Sequence, residues 1–224
     1  SFLNDIRGRH VKPEHVRQAL HTGTDGQLEE GAVGAGTGMS AFELKGGIGS
    51  SSRIVPSQHG GYVVGSLVLS NFGRLTDLII DGVPVGSDLY EHMAPKSSAD
   101  GSIIILIATN APVSSRQLKR MAKRATHGLA RTGSVSAHGS GDIVIAFSTT
   151  SCIPHYREAI ITPVGSVFEE DLTWLFRATA EATEEAILNS LFTAETMVGR
   201  DGNRRTALPL DQTRTILQKY GRIQ

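Results

Sequence analysis

Three features of the sequence predict an α/β layered sandwich. Short apolar segments bounded by Gly and Ser recur between Ala41 and Leu69, a continuous apolar run occupies Ile103 to Ala108, and helical patterns gather after the strands. The chain has 224 residues, of which 39% are hydrophobic, enough for a core within a single domain spanning 1–224. Its 22 basic and 22 acidic residues balance to a net charge of +0 and collect into no patch of one sign, which argues against nucleic acid as a partner.

Taken in order, Lys12 to Leu20 reads as a short helix with Pro13 in its first turn, where a missing N–H does no harm. Tyr62-Val63-Val64 and Leu67-Val68-Leu69 read as strand segments. Asp81-Gly82 is a turn signal after Leu78-Ile79-Ile80. Asp88 to Gly101 loses all periodicity and reads as an exposed linker. The run Ser102 to Ala108 then resembles a strand buried on both faces. Ser114 or Ser115 caps a helix with Leu118, Met121, Ala122, Ala125 and Leu129 on one face, and Lys119, Arg120, Lys123 and Arg124 on a solvated one. Asp142 to Phe147 is a second buried-type strand, and Ile160-Ile161 is a candidate for part of another. Leu172 to Met197 is a long helical pattern with Trp174 packed on the sheet, and Asp211 caps a final helix that Gly221 ends.

Motif searches exclude several chemistries. There is no G-x-x-x-x-G-K-[ST] loop, and Gly34-Ala35-Gly36-Thr37-Gly38 fails G-x-G-x-x-G because Met39 stands at the last position. Eight histidines show no H-E-x-x-H and no metal spacing, so neither metal nor other cofactor is expected. Gly49-Ser50-Ser51-Ser52-Arg53 is not a nucleophile elbow. The longest apolar run falls far short of the ~18 residues of a membrane span, so no membrane is expected. The single cysteine, Cys152, reads as a buried inert thiol.

Two glycine-rich loops remain, one from Gly31 to Gly49 and one holding Gly133, Gly139 and Gly141, within a total of 25 glycines. They are either tight connections or places where a ligand approaches the backbone. The second candidate is a junction, a polar linker ending in Asp100-Gly101 before Ser102 opens the apolar strand. Cutting Gly101–Ser102 would give Ser102 a hydroxyl and a free α-amine of pKa about 7.7 to 8.0, a nucleophile carrying its own base. From these residues alone, a plain Gly-Ser turn entering a strand is much the commoner reading.

The sequence contains, in order, Leu3-Asn4-Asp5-Ile6, Gly34-Ala35-Gly36-Thr37-Gly38-Met39, Lys45-Gly46-Gly47-Ile48-Gly49, Ser70-Asn71-Phe72-Gly73, Gly101-Ser102-Ile103-Ile104, Gly139-Ser140-Gly141-Asp142 and Gly199-Arg200-Asp201-Gly202-Asn203. Together these resemble the self-processing N-terminal-serine aminopeptidases, the family of the L-aminopeptidase/D-amidase/esterase and the β-peptidyl aminopeptidases. The resemblance implies an αββα sandwich of the N-terminal-nucleophile type and self-cleavage at Gly101–Ser102, with 1–101 ending an α subunit and 102–224 forming the β subunit. It implies Ser102 as nucleophile, Ser140 and Asp142 beside it, and Asn71 as oxyanion donor; from residues alone, Ser140 and Asp142 read as helix caps and Asn71 as a turn residue. Gly34, Gly36 and Phe2 are expected to border the substrate. Family chains carry a sizeable portion before Leu-Asn-Asp-Ile, so this chain is expected to lack that portion.

The function expected is removal of N-terminal residues from short peptides, amides or esters through an acyl-enzyme, by a homo-oligomer of αβ units. The setting expected is cytoplasmic, or periplasmic if a leader preceded this chain. The alternatives are an acyltransferase of the ornithine acetyltransferase kind, against which serine at 102 argues, and a non-catalytic relative acting in binding or assembly.

Overall fold

The computed structural model describes residues 2–93, 101–150, 152–157, 159–161 and 163–224. Helix α1 (Pro13–His21) precedes a two-residue hairpin of β1 (Ser40–Ala41) and β2 (Leu44–Lys45). The main sheet contains β3 (Ile48–Ile54), β4 (Val63–Asn71), β5 (Ser102–Thr109) and β6 (Ile143–Ser148), in that spatial order. The first three strands are antiparallel; β6 runs parallel to β5. Helix α2 (Val85–Met93) lies between β4 and β5, and α3 (Ser115–Arg131) makes the crossover that a parallel pair requires. Then come α4 (Leu172–Phe192), the short strands β7 (Met197–Val198) and β8 (Arg204–Arg205), and α5 (Leu210–Lys219).

The local chemistry explains the two helices that back the sheet. Ser114 caps α3 by accepting from the Gln117 N–H at 3.3 Å, while the Gln117 side chain accepts from the Ser114 N–H at 3.1 Å. Met121, Ala125 and Leu129 then fall on one face and are buried. In α4 the Thr179 and Thr183 hydroxyls donate to carbonyls one turn back, so the helix can be buried on several sides without orphaned polar groups. Its outer end is tied to β3, where Glu185 accepts from Ser51 at 2.7 Å and pairs with Arg53, and Asn189 donates to the Ser50 carbonyl at 2.8 Å.

Burial alternates along β4 and β5. Val64, Val68, Ile103, Ile105 and Ile107 are covered, with α4 against β4 and α3 against β6 on that side. The opposite face carries Leu67, Leu69, Ile104, Leu106, Ile143, Ile145 and Phe147, and among the described residues it is open, with Ile143 at 54% and Phe147 at 46% exposure. The expectation of two-sided burial for Ser102 to Ala108 and Asp142 to Phe147 is therefore met on one side only. A strand apolar on both faces suits two covering layers, and the described residues provide one.

Other expectations need correction. The linker expected over Asp88 to Gly101 is helix over its first six residues, because Val85 and Leu89, one turn apart and buried, carry α2 to Met93; residues 94–100 lie outside those described. Ile160 and Ile161 join no strand and are exposed. Helix α4 stops at Phe192, where the Thr193 N–H closes the last turn on the Asn189 carbonyl. Asp211 lies in the first turn of α5, with Pro209 at the cap, and Gly221 follows the C-cap Tyr220. Cys152 is exposed. Trp174 is partly buried against the core and stacks on His59 at the β3–β4 connection, with centroids 4.5 Å apart. On α3, Lys119 and Lys123 are solvated, but Arg120 and Arg124 lie over the Phe176 ring.

Candidate active site

Antiparallel pairing of β4 and β5 sets Asn71, the last residue of one strand, directly opposite Ser102, the first of the other. Opposed residues project to the same face, so both side chains share the open face of the sheet at its end. Nothing local to either residue dictates this, since 31 positions separate them.

Gly101 precedes Ser102 where the chain passes hard against β4. A Cβ there would stand inside contact distance of the Asn71 carbonyl oxygen, 2.9 Å from the Asn71 carbonyl carbon and 3.0 Å from Phe72 Cα. These are backbone atoms with no freedom to swing aside. Glycine is what lets the bond before Ser102 lie against the Asn71 peptide.

The parallel pairing of β6 with β5 brings in the second glycine loop, because Ile143 pairs with Ile104 and the loop residues just before Ile143 come level with Ser102. The Gly141 N–H donates to Ser102 Oγ at 3.0 Å. On either side of that glycine, Ser140 Oγ donates to Asp142 Oδ1 at 2.7 Å, and the Ser140 N–H closes a turn on the Ala137 carbonyl at 2.7 Å. Ser140 and Asp142 cap no helix. They form a hydroxyl–carboxylate pair joined to the peptide that holds the Ser102 hydroxyl.

Asn71 Oδ1 accepts from the Ser40 N–H at 3.0 Å. An amide whose oxygen is engaged on one side presents its Nδ2 donors on the other, as an oxyanion donor must. Phe2, Asn203, Arg205 and Ser40 make a connected set: the Arg205 guanidinium covers the Phe2 ring at 4.0 Å, Arg205 Nε donates to Ser40 Oγ at 3.0 Å, and Asn203 Nδ2 donates to the Phe2 carbonyl at 2.9 Å. Gly34 is exposed, with open space around its Cα. Gly36 is buried, and a Cβ there would stand 2.8 Å from Ile48 N and 2.9 Å from Gly47 Cα, so packing of the loop on itself already requires that glycine.

A cavity of about 360 Å³ opens beside the junction, lined by Phe72, Arg74, Asp77, Gly101, Val135 and Ser140 among others. Arg74 and Asp77 were not legible as site residues, because neither stands in a motif with chemical spacing. Lys45, which in the sequence stands only within a glycine-rich motif, is fully buried and donates to the Gly36, Met39 and Gly46 carbonyls at 2.8, 3.0 and 2.6 Å. Burial pushes its pKa down to about 8. A lone lysine between apolar and glycine residues was the available signal. Among the described residues no group of three or more His, Cys, Asp or Glu could hold a metal ion, and no helix is long and apolar enough to cross a membrane.

The family model for peptidase family S58 matches residues 1–205. The chain belongs to that family. It is 42% identical to a β-peptidyl aminopeptidase from Sphingosinicella microcystinivorans, over 99% of this chain and 60% of that protein. Among solved structures, a protein from Pyrococcus horikoshii OT3 superposes with a TM-score of 0.92 at 55% identity, over 99% of this chain and 61% of the other. The L-aminopeptidase D-Ala-esterase/amidase from Ochrobactrum anthropi, described as a variant of the Ntn-hydrolase fold, superposes with a TM-score of 0.89 at 38% identity, over 100% of this chain and 61% of the other. The S58 chain described here thus has the α/β fold of the N-terminal-nucleophile type that its sequence implied. It spans about 60% of the length of the relatives it matches. The acyltransferase alternative gains no support from these likenesses.

Proposed function

We propose that the whole protein is a self-cleaving serine aminopeptidase that removes N-terminal residues from short peptides, amides or esters. The observation that carries this reading is the position of Ser102, first on β5, opposite Asn71, with its Oγ held by the Gly141 N–H.

In the first step Ser102 Oγ attacks the Gly101 carbonyl carbon. The C–N bond breaks, the hydroxyl proton passes to the departing amine, and an ester forms between Gly101 and Ser102. Water then hydrolyses the ester, leaving a Gly101 carboxylate and a free Ser102 amine. While residues 101 and 102 are joined, the Ser102 nitrogen is an amide and accepts no proton, so the joined chain is the precursor and the base exists only after cleavage. The same geometry then serves turnover. Ser102 Oγ attacks a substrate carbonyl, its own amine takes the proton and returns it to the leaving amine, Asn71 Nδ2 holds the oxyanion, and water releases the acyl group. The Ser140–Asp142 pair places a negative charge and an orienting hydroxyl next to the Gly141 peptide, and the cavity beside Gly101 accommodates the acyl residue. Cleaved αβ units assembling as a homo-oligomer, and a cytoplasmic setting, belong to the same proposal and rest on the sequence reading.

The test is intact-mass spectrometry of the whole protein together with hydrolysis of an aminoacyl p-nitroanilide. A cut at Gly101–Ser102, absent in Ser102→Ala and required for turnover, is expected. An uncut protein with full activity would overturn the reading.

A further inference from the structure

Lys45 takes no part in the mechanism above, yet it is fully buried with a charge-bearing group. Its three acceptors are all backbone carbonyls, and an ammonium has three protons to donate, so the set Gly36, Met39 and Gly46 uses all of them. One of these acceptors matters beyond loop packing. The Met39 carbonyl belongs to the same peptide unit as the Ser40 N–H, and it is the Ser40 N–H that engages Asn71 Oδ1. A rigid, planar peptide therefore stands between the lysine and the oxyanion donor, with the cation at its oxygen and Asn71 at its nitrogen.

We propose that Lys45 is a positioning residue for the oxyanion hole, holding the Met39–Ser40 peptide so that its N–H fixes the Asn71 amide with Nδ2 turned toward the reacting carbonyl. The proposal rests on the reading of Asn71 as oxyanion donor. An asparagine amide has two ends of nearly equal shape, and a half-turn of its terminal torsion exchanges donor for acceptor. Turned the wrong way, it would present an oxygen to a developing negative charge. The Ser40 N–H discriminates between the two, because it can pair only with the oxygen. The direction of that N–H follows the tilt of its peptide plane. Besides Lys45, the Met39 carbonyl accepts from the Gly46 N–H at 3.4 Å, too long to hold the plane firmly. A cation on the carbonyl also polarises the peptide, strengthening the bond its N–H makes.

The experiment is a double-mutant cycle in the full-length protein, read as kcat and KM on an aminoacyl p-nitroanilide, with thermal melts as a check on folding. Lys45→Met keeps the chain length and removes the donors. It is expected to lower kcat by about 10- to 10²-fold, the loss that follows a misplacement near 1 Å, with little change in KM. In an Asn71→Ala background the same substitution should change kcat by no more than about 2-fold, because the amide it positions is gone. Losses that multiply would overturn the proposal while leaving the role of Asn71 intact. An Asn71→Ala enzyme with wild-type kcat would remove the oxyanion reading, and the proposal with it. If Lys45→Met gives no cooperative melt, Lys45→Gln supplies the second arm, since its shorter neutral side chain keeps polar donors in the buried site but removes the cation and the reach to all three carbonyls. The same kcat loss, absent in the Asn71→Ala background, is expected; independent losses would overturn the proposal.

Discussion

Replacing Gly101 by Ala perturbs the junction through a single methyl group. The added Cβ would sit within contact distance of the Asn71 carbonyl oxygen and 2.9 and 3.0 Å from the Asn71 carbonyl carbon and Phe72 Cα, all backbone. Restoring ordinary carbon contacts, which lie at about 3.5 Å, requires β4 and the junction to part by about 1 Å. The strain of such overpacking is typically about 1–3 kcal/mol, less than the stability of most domains, so the chain should still fold. The catalytic consequence is larger. Parting the strands moves Asn71 relative to the Ser102 hydroxyl and the bond it attacks, and a misplacement near 1 Å costs about 10²-fold, or about 2.7 kcal/mol of barrier. The assay is a time course of self-cleavage followed by intact mass, with the whole precursor purified uncut. Cleavage of Gly101→Ala should be about 10²-fold slower than wild type. Once cut, residue 101 is a free chain end able to move away, so kcat of the matured variant should return to within a few-fold of wild type. Self-cleavage at the wild-type rate, in a variant that melts normally, would refute the argument that this close approach aligns the bond.

Asn71→Asp keeps an acceptor for the Ser40 N–H but turns a second oxygen, in place of Nδ2, toward the developing charge; kcat should fall by at least about 10²- to 10³-fold in a steady-state assay with KM little changed, and a change confined to KM would make Asn71 a substrate-positioning residue. Asp142→Asn preserves an acceptor for Ser140 Oγ while removing the charge, so turnover should weaken while the Tm holds. His138, exposed on the same loop, should be replaceable by Ala with most activity kept, whereas losing a true general base costs about 10²- to 10⁴-fold in kcat. Glu185 is held below its ordinary value, first by the Ser51 hydroxyl and then by Arg53. A carboxylate whose folded pKa lies below its unfolded one stabilises the fold above about pH 4.5 and loses that contribution as pH falls through its folded pKa. The Tm difference between wild type and Glu185→Gln should therefore shrink in acid, and a gap that persists there would refute the tie between β3 and α4.

What could be read from the chain alone was what neighbouring residues encode. The β-branched run at Ser102 announces β5, a capping serine at 114 or 115 announces the start of α3, and the order of motifs from Leu3-Asn4-Asp5-Ile6 to Gly199-Arg200-Asp201-Gly202-Asn203 announces the family and Ser102 within it. Those signals are local because torsional preference, capping and turn chemistry act over a few residues. The fate of Asp88 to Met93 escaped them, since a helix only nine residues long, with Val85, Gly86 and Leu89 buried among mostly polar positions, draws its stability from packing. Tertiary structure alone decided that Asn71 stands opposite Ser102, that Ser140 and Asp142 flank the peptide bonded to its hydroxyl, and that Lys45 is buried at the carbonyl end of the peptide that orients Asn71. Strand register and the direction of a buried cation are settled by which distant faces must pack together, and the sequence spacing of 31 between Asn71 and Ser102 carries no trace of that choice.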